Sequence, residues 1–316
     1  MRVSSIALAM LAPLTMAHGP KQRWDGGKPA TPEGVVTGRF AYEFEGETFE
    51  GYVAHPSNPI GLLPGAMVFH QWYGEGEVEQ WRAEQLAHTG FVAFAVDMYG
   101  QGQRATSREE AVALVGPARG DAARYHRLLA RLFEVFIDNY PVDPTKISVS
   151  GYCFGGQAVL EIVRRGYPGV VAAAAFHPST TNLTATIPPT MTENVQIHYP
   201  ELEPAGDEGL AFFEEELRYG EAMGWTTFKY GGASHGFTDP TNAVYDAKQS
   251  RLSHEYYHAL HYELGLVEHK DSHYDTVGLA CDPSRPNMCG DYSCTCSASS
   301  RRHLLFSTAP SVCTCA

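Results

Sequence analysis

Between residues 66 and 264, short apolar runs alternate with stretches of helical spacing. This alternation limits the possible fold more than any other feature of the 316-residue chain. Residues 66–70 (Ala-Met-Val-Phe-His) and 91–96 (Phe-Val-Ala-Phe-Ala-Val) read as strands, and 146–150, 170–176, 195–199 and 226–230 continue the series. A strand that lacks polar alternation is one buried on both faces, as in a parallel sheet covered by helices. The segments 77–89, 121–140, 157–165, 209–223 and 241–264 read as helices. In 121–140, Tyr125, Leu128, Leu129, Leu132, Phe133 and Phe136 recur at the spacing of one helix face. Residues 39–55 alternate with period two on either side of Gly46, which predicts a β-hairpin. Together these elements predict an α/β fold, with a mainly parallel sheet and helices on both faces. One domain is expected over residues 18–266, opening with a polar, extended lead-in.

The two ends read differently. Residues 1–17 start with Met1-Arg2, carry an apolar run at 6–14 and end in Ala17. That is the pattern of a cleaved secretory signal too short to span a bilayer. No other stretch reaches ~18 consecutive apolar residues, so no transmembrane helix is expected. From Val267 onward the periodicity fails, and residues 267–316 are expected to be a Cys-rich tail, stapled or disordered. The tail holds Cys281, Cys289, Cys294, Cys296, Cys313 and Cys315, and the seventh cysteine, Cys153, stands apart from it. An even cluster behind a secretory signal suggests disulfides and a secretory or extracellular location. Zinc is the rival reading of the tail's two C-x-C pairs, whose spacing is not the usual one for that metal. Asn182-Leu183-Thr184 is a glycosylation sequon. Lys plus Arg is 23 against 36 Asp plus Glu, for a formal charge of −13. That balance, without a basic run, argues against nucleic acid or an anionic membrane as the main partner.

The chemistry centres on Gly151-Tyr152-Cys153-Phe154-Gly155-Gly156, which directly follows a strand and directly precedes a helix. Such a segment must turn sharply and present its central side chain at the carboxyl edge of the sheet. The flanking glycines let helix and strand approach without Cβ clashes. The helix N-terminus behind Cys153 favours negative charge on the sulfur. A nucleophile needs a base, and His235 lies in a glycine-flanked loop between the last strand and the last helix. The acid should follow the strand at 195–199, where Glu201, Glu203 and Asp207 compete. His254, His258 and His261 share one side of the last helix and read as a partly exposed amphipathic face rather than a metal site. His70 ends a strand near the nucleophile and is placed in the lining of the pocket.

These residues resemble the dienelactone hydrolase family, a branch of the α/β-hydrolase fold, over about residues 39–266. The resemblance is carried by Phe69-His70-Gln71-Trp72-Tyr73-Gly74, by Ala95-Val96-Asp97-Met98-Tyr99-Gly100, by the Cys153 segment, and by Tyr230-Gly231-Gly232-Ala233-Ser234-His235-Gly236-Phe237-Thr238. It implies hydrolysis of a small-molecule ester or lactone, with Cys153 as nucleophile, His235 as base and Glu203 in place of the family's aspartate. It further implies an oxyanion site made by the backbone N–H groups of Phe154 and Trp72, a pocket walled by Trp72, Tyr73 and Tyr99, and no metal or organic cofactor. Two positions depart from the family pattern. Gln71 replaces a glutamate beside the nucleophile, and Asp239 replaces an arginine that holds a substrate carboxylate. An aspartate there would repel an anion. Thioester cleavage or acyl transfer by the same triad, and a catalytically silent secreted binding module, are the alternative readings.

Overall fold

The computed structural model describes residues 27–180, 194–220 and 224–268, together with the backbone of 294–296 and 313–315. The signal sequence, Asn182, Cys281 and Cys289 lie outside the described residues. The backbone divides into two units, Met1–Val267 and Glu268–Ala316.

The first unit is built on an eight-stranded sheet. Its strands are β1 (Val35–Phe44), β2 (Glu47–Pro56), β3 (Leu63–Phe69), β4 (Val92–Val96), β5 (Val142–Tyr152), β6 (Val170–Phe176), β7 (Asn194–Leu202) and β8 (Gly224–Ser234). They are ordered β1-β2-β4-β3-β5-β6-β7-β8. The hairpin β1/β2 and the pair β2/β4 are antiparallel, and every later pairing is parallel. Register sets Phe69 beside Gly151, Gly151 beside Ala175, and Phe176 beside His198. The loops after β3, β5, β6 and β7 therefore leave one edge of the sheet together, which is where open parallel sheets bind ligands.

Among the described residues six helices cover the sheet: α1 (Glu77–Thr89), α2 (Arg108–Gly120), α3 (Ala122–Asn139), α4 (Phe154–Arg165), α5 (Glu208–Tyr219) and α6 (Ala247–Glu263). Alternate strand residues feed two separate cores. Met67, Phe69, Val149 and Ile197 pack with Leu128, Leu132, Phe136, Ile162 and Phe213 from α3, α4 and α5. Ala66, Val68, Ala172 and Ala174 pack on the other face with Leu86 of α1 and Tyr257 of α6. The α3 face read from the sequence is the buried one throughout. Among the described residues no helix is long and apolar enough to cross a membrane.

Among the differences from the sequence expectation are two helix starts and one additional helix. Helix α4 starts at Phe154 rather than at 157, directly after the cysteine. Helix α6 starts at Ala247 rather than at 241, because the Asp246 side chain caps it by accepting from the Gln249 N–H at 3.0 Å. Helix α2 was not expected at all. Its amphipathic signal is thin, with only Ala111 and Val115 buried and Pro117 inside it, and it is started by the Ser107 cap.

In the second unit, β9 (Cys294–Cys296) pairs antiparallel with β10 (Cys313–Cys315), with Cys296 opposite Cys313 and Cys294 opposite Cys315. The side chains of these residues, and with them the disulfide and zinc readings, lie outside the described residues.

Candidate active site

Cys153 sits between β5 and α4 with φ 55° and ψ −109°. A non-glycine residue rarely adopts this backbone, and the surrounding contacts hold it there. The Cys153 N–H donates to the Phe176 carbonyl at 3.0 Å, and its own carbonyl accepts from Gln157 and Ser179 at 3.1 and 3.0 Å. Close approach of α4 to β3 completes the turn. A Cβ at Gly155 would overlap the Phe69 carbonyl and lie 2.7 Å from the His70 carbonyl oxygen. Cys153 is half-buried and in no disulfide.

His235 follows β8 and turns back across that edge. Its Nδ1 donates to Glu203 Oε2 at 2.7 Å, and the imidazole also hydrogen-bonds the Cys153 side chain. Burial would lower the imidazole pKa. The hydrogen bonds to Cys153 and Glu203, and the negative charge of both groups, outweigh burial and raise it to about 10. The competing carboxylates are engaged elsewhere: Glu201 accepts from the Gly232 N–H at 2.6 Å, and Asp207 pairs with Lys229. Glu203 is the acid that meets the histidine, one residue past the end of β7.

The remaining expected residues divide into site and support. Phe154 is the first residue of α4, so its N–H has no partner one turn earlier and remains free to donate forward. The Trp72 backbone is fixed by Tyr99, whose hydroxyl donates to the Trp72 carbonyl at 3.0 Å. Tyr99 also stacks on Phe154, with ring centroids 5.7 Å apart. Burial first, and then the nearby Cys153 charge, push the Tyr99 hydroxyl pKa upward. The Asp97 carboxylate orders this loop by accepting from the N–H groups of Tyr99 and Gly100 at 2.9 and 3.1 Å. Gln71 and Tyr73 line a cleft of about 560 Å³ with Glu79, Arg104 and Asp239.

Two sequence expectations need correction. His70 has no exposed surface and does not line a pocket. Its Nδ1–H donates to the Gln71 carbonyl at 2.6 Å, and its Nε2 accepts from the Met98 N–H at 3.1 Å. Burial lowers its pKa to about 3, so it is a neutral strut between two loops. His254 and His261 are buried against the sheet rather than on a partly exposed face. They bond Tyr152 and Ser148, each at 2.8 Å.

Gln71 also has an unexpected partner. Its Nε2 donates to Asp239 Oδ2 at 2.7 Å, so the two positions that depart from the family pattern face one another. His177 was not singled out from the sequence. It is fully buried, has φ 37°, and packs edge-on to His235 with ring centroids 5.1 Å apart. Its Nε2 bonds Thr238 Oγ1 at 2.8 Å, and burial followed by the His235 charge keeps its pKa well below the usual value. Its place directly after β6, in register with the loop that follows the nucleophile strand, was the available signal.

The family model described as "Dienelactone hydrolase family" matches residues 49–260. A putative carboxymethylenebutenolidase of Aquifex aeolicus is 29% identical over 152 residues, which is 46% of this chain and 63% of that protein. One from Synechocystis is 26% identical over 215 residues, covering 63% of this chain and 85% of that protein. The crystal structure of a dienelactone hydrolase-like promiscuous phosphotriesterase from metagenomic libraries superposes with a TM-score of 0.69 at 25% identity, covering 73% of this chain and 99% of that one. The sheet order, the strand–cysteine–helix turn and these matches identify the chain as a member of the dienelactone hydrolase family, with the α/β-hydrolase fold.

Proposed function

We propose that this hydrolase cleaves carboxylic esters or lactones through a thioacyl intermediate on Cys153. The observation that carries the reading is the placement of His235, which bonds Glu203 at 2.7 Å through Nδ1 while also bonding the sulfur of the strained turn. With its pKa raised to about 10, His235 holds its proton at neutral pH. The reacting pair is a thiolate and an imidazolium, with His235 holding the proton that the sulfur gives up.

The thiolate adds to the acyl carbon, and the carbonyl oxygen takes the negative charge. That oxygen is met by the N–H groups of Phe154 and Trp72; one such donor typically contributes ~2.7–4 kcal/mol to the transition state. Collapse breaks the bond to the leaving oxygen, which takes the His235 proton and departs as an alcohol. The now neutral imidazole draws a proton from water, whose oxygen attacks the thioester. The acid leaves, and thiolate and imidazolium are restored. Glu203 orients the ring throughout and stabilises its charged form.

The test is turnover of p-nitrophenyl acetate together with intact-mass detection of an acetyl adduct. Cys153→Ala is expected to lose both, and retained turnover would assign another nucleophile.

A further inference from the structure

A cavity of about 620 Å³ lies between α2, α3 and the loop after β4, lined by Met98, Tyr99, Leu114, Ala118, Tyr125 and Leu128. Its size is that of a small-molecule site. Two of its aromatic walls touch the residue next to the nucleophile, the Tyr99 and Tyr125 rings lying 5.7 and 5.8 Å from Phe154. The Tyr125 hydroxyl is buried and has no hydrogen-bond partner among the described residues. Helix α2 overhangs the turn: Arg119 at its end donates to Ser179 Oγ at 2.8 Å, and the Ser179 N–H donates to the Cys153 carbonyl at 3.0 Å.

The geometry of attack says which part of a substrate faces this space. The leaving oxygen must lie beside His235, because that ring supplies its proton. The loop bearing His235 is held from the α1 and α6 side, where Arg82 donates to the Thr238 carbonyl at 3.1 Å and Ser250 at 3.4 Å. The oxyanion points to Phe154 and Trp72. The substituent of the acyl carbon that faces neither of these groups is left the remaining side, where the end of α2 is tied to the turn through Arg119 and Ser179. The lining is apolar at Met98, Leu114, Ala118 and Leu128, and of its acidic members Glu47 is paired with Arg124 at 3.0 Å.

We propose that this cavity is the acyl-group subsite, selecting uncharged aliphatic acyl chains of hexanoyl to octanoyl length over acetyl. The proposal rests on the hydrolytic reading for the orientation of the substrate and on the cavity itself for the class of ligand.

The experiment compares kcat/KM for p-nitrophenyl acetate and hexanoate in the wild type, in Ala118→Trp, which fills the cavity from α2, and in Val112→Trp on the outer face of the same helix. The wild type is expected to favour hexanoate by about tenfold or more, since each buried methylene adds a several-fold preference. Ala118→Trp is expected to bring that ratio near one, and Val112→Trp to keep it. Leu114→Ala, which enlarges the space, is expected to move the preferred chain from hexanoate toward decanoate, and this keeps the proposal testable if Ala118→Trp does not fold. A wild type indifferent to chain length, or a ratio unchanged by both cavity variants, overturns it. A second readout needs no turnover: octanamide is expected to raise the Tm of Cys153→Ala more than acetamide does. A shift with octanamide but no turnover of any ester would sink the hydrolytic reading and leave the cavity standing. Turnover without that shift would sink the cavity.

Discussion

Replacing Glu203 by glutamine tests the electrostatics of the site most directly. The carboxylate accepts from His235 Nδ1 at 2.7 Å and is nearly buried, with 8% of its side chain exposed. The rise of the His235 pKa from 6.5 to about 10 corresponds to a preference of about 5 kcal/mol for the charged ring, at ~1.36 kcal/mol per pKa unit. Cys153 and Glu203 share that preference, so removing one charge should forfeit about half, on the order of 2 kcal/mol. The sign follows from linkage. A histidine whose folded pKa is raised contributes stability in full below its unfolded value of ~6.5 and loses it as pH climbs through about 10. Urea unfolding of wild type and Glu203→Gln should therefore differ by about 2 kcal/mol near pH 6, with the gap closing above pH ~10. The alkaline limb of kcat/KM should move down by about one to two pKa units, since that limb reports the free enzyme. An alkaline limb that stays in place, with a stability gap independent of pH, would refute the assignment of Glu203 as the partner of the ring.

Two further outcomes follow from packing and burial. Gly155→Ala puts a methyl group against the main-chain oxygens of Phe69 and His70, where no side chain can yield. It is expected to cost about 3 kcal/mol or to abolish folding, read as a lowered Tm or loss of soluble protein, and a wild-type Tm would contradict the close approach of α4 and β3. His177, His198, His254 and His261 are all buried with pKa values held below the usual 6.5, chiefly by burial. Each must take up a proton on unfolding in acid, so stability should be present above pH ~6.5 and fall as the pH drops toward 4; equal unfolding midpoints at pH 7 and 5 would contradict this.

Much of this arrangement was legible in the residues because the signals were local. The elbow glycines and the strand before Cys153 announce the turn, and the apolar periodicity of 121–140 announces the buried face of α3. Glu203 could be set against Glu201 and Asp207 only by where each carboxylate is already spent, which depends on β8 running alongside β7. Helix α2 escaped notice because it buries little and carries Pro117, so cap chemistry rather than an apolar stripe defines it. His70 was misplaced because a histidine at a strand end looks the same in sequence whether its ring faces solvent or braces two main chains. His177 and the Gln71 tie to Asp239 depend on chain crossings of 61 and 168 residues, and no spacing rule reports contacts so distant.

The Gln71 contact joins the two departures from the family pattern. Against Asp239, a glutamate would bring two carboxylates within 2.7 Å of each other. Gln71 instead meets that carboxylate with an amide N–H, so a matched donor and acceptor join the loops after β3 and β8. The two departures thus act as one feature, a cross-brace that spans the strand of the nucleophile.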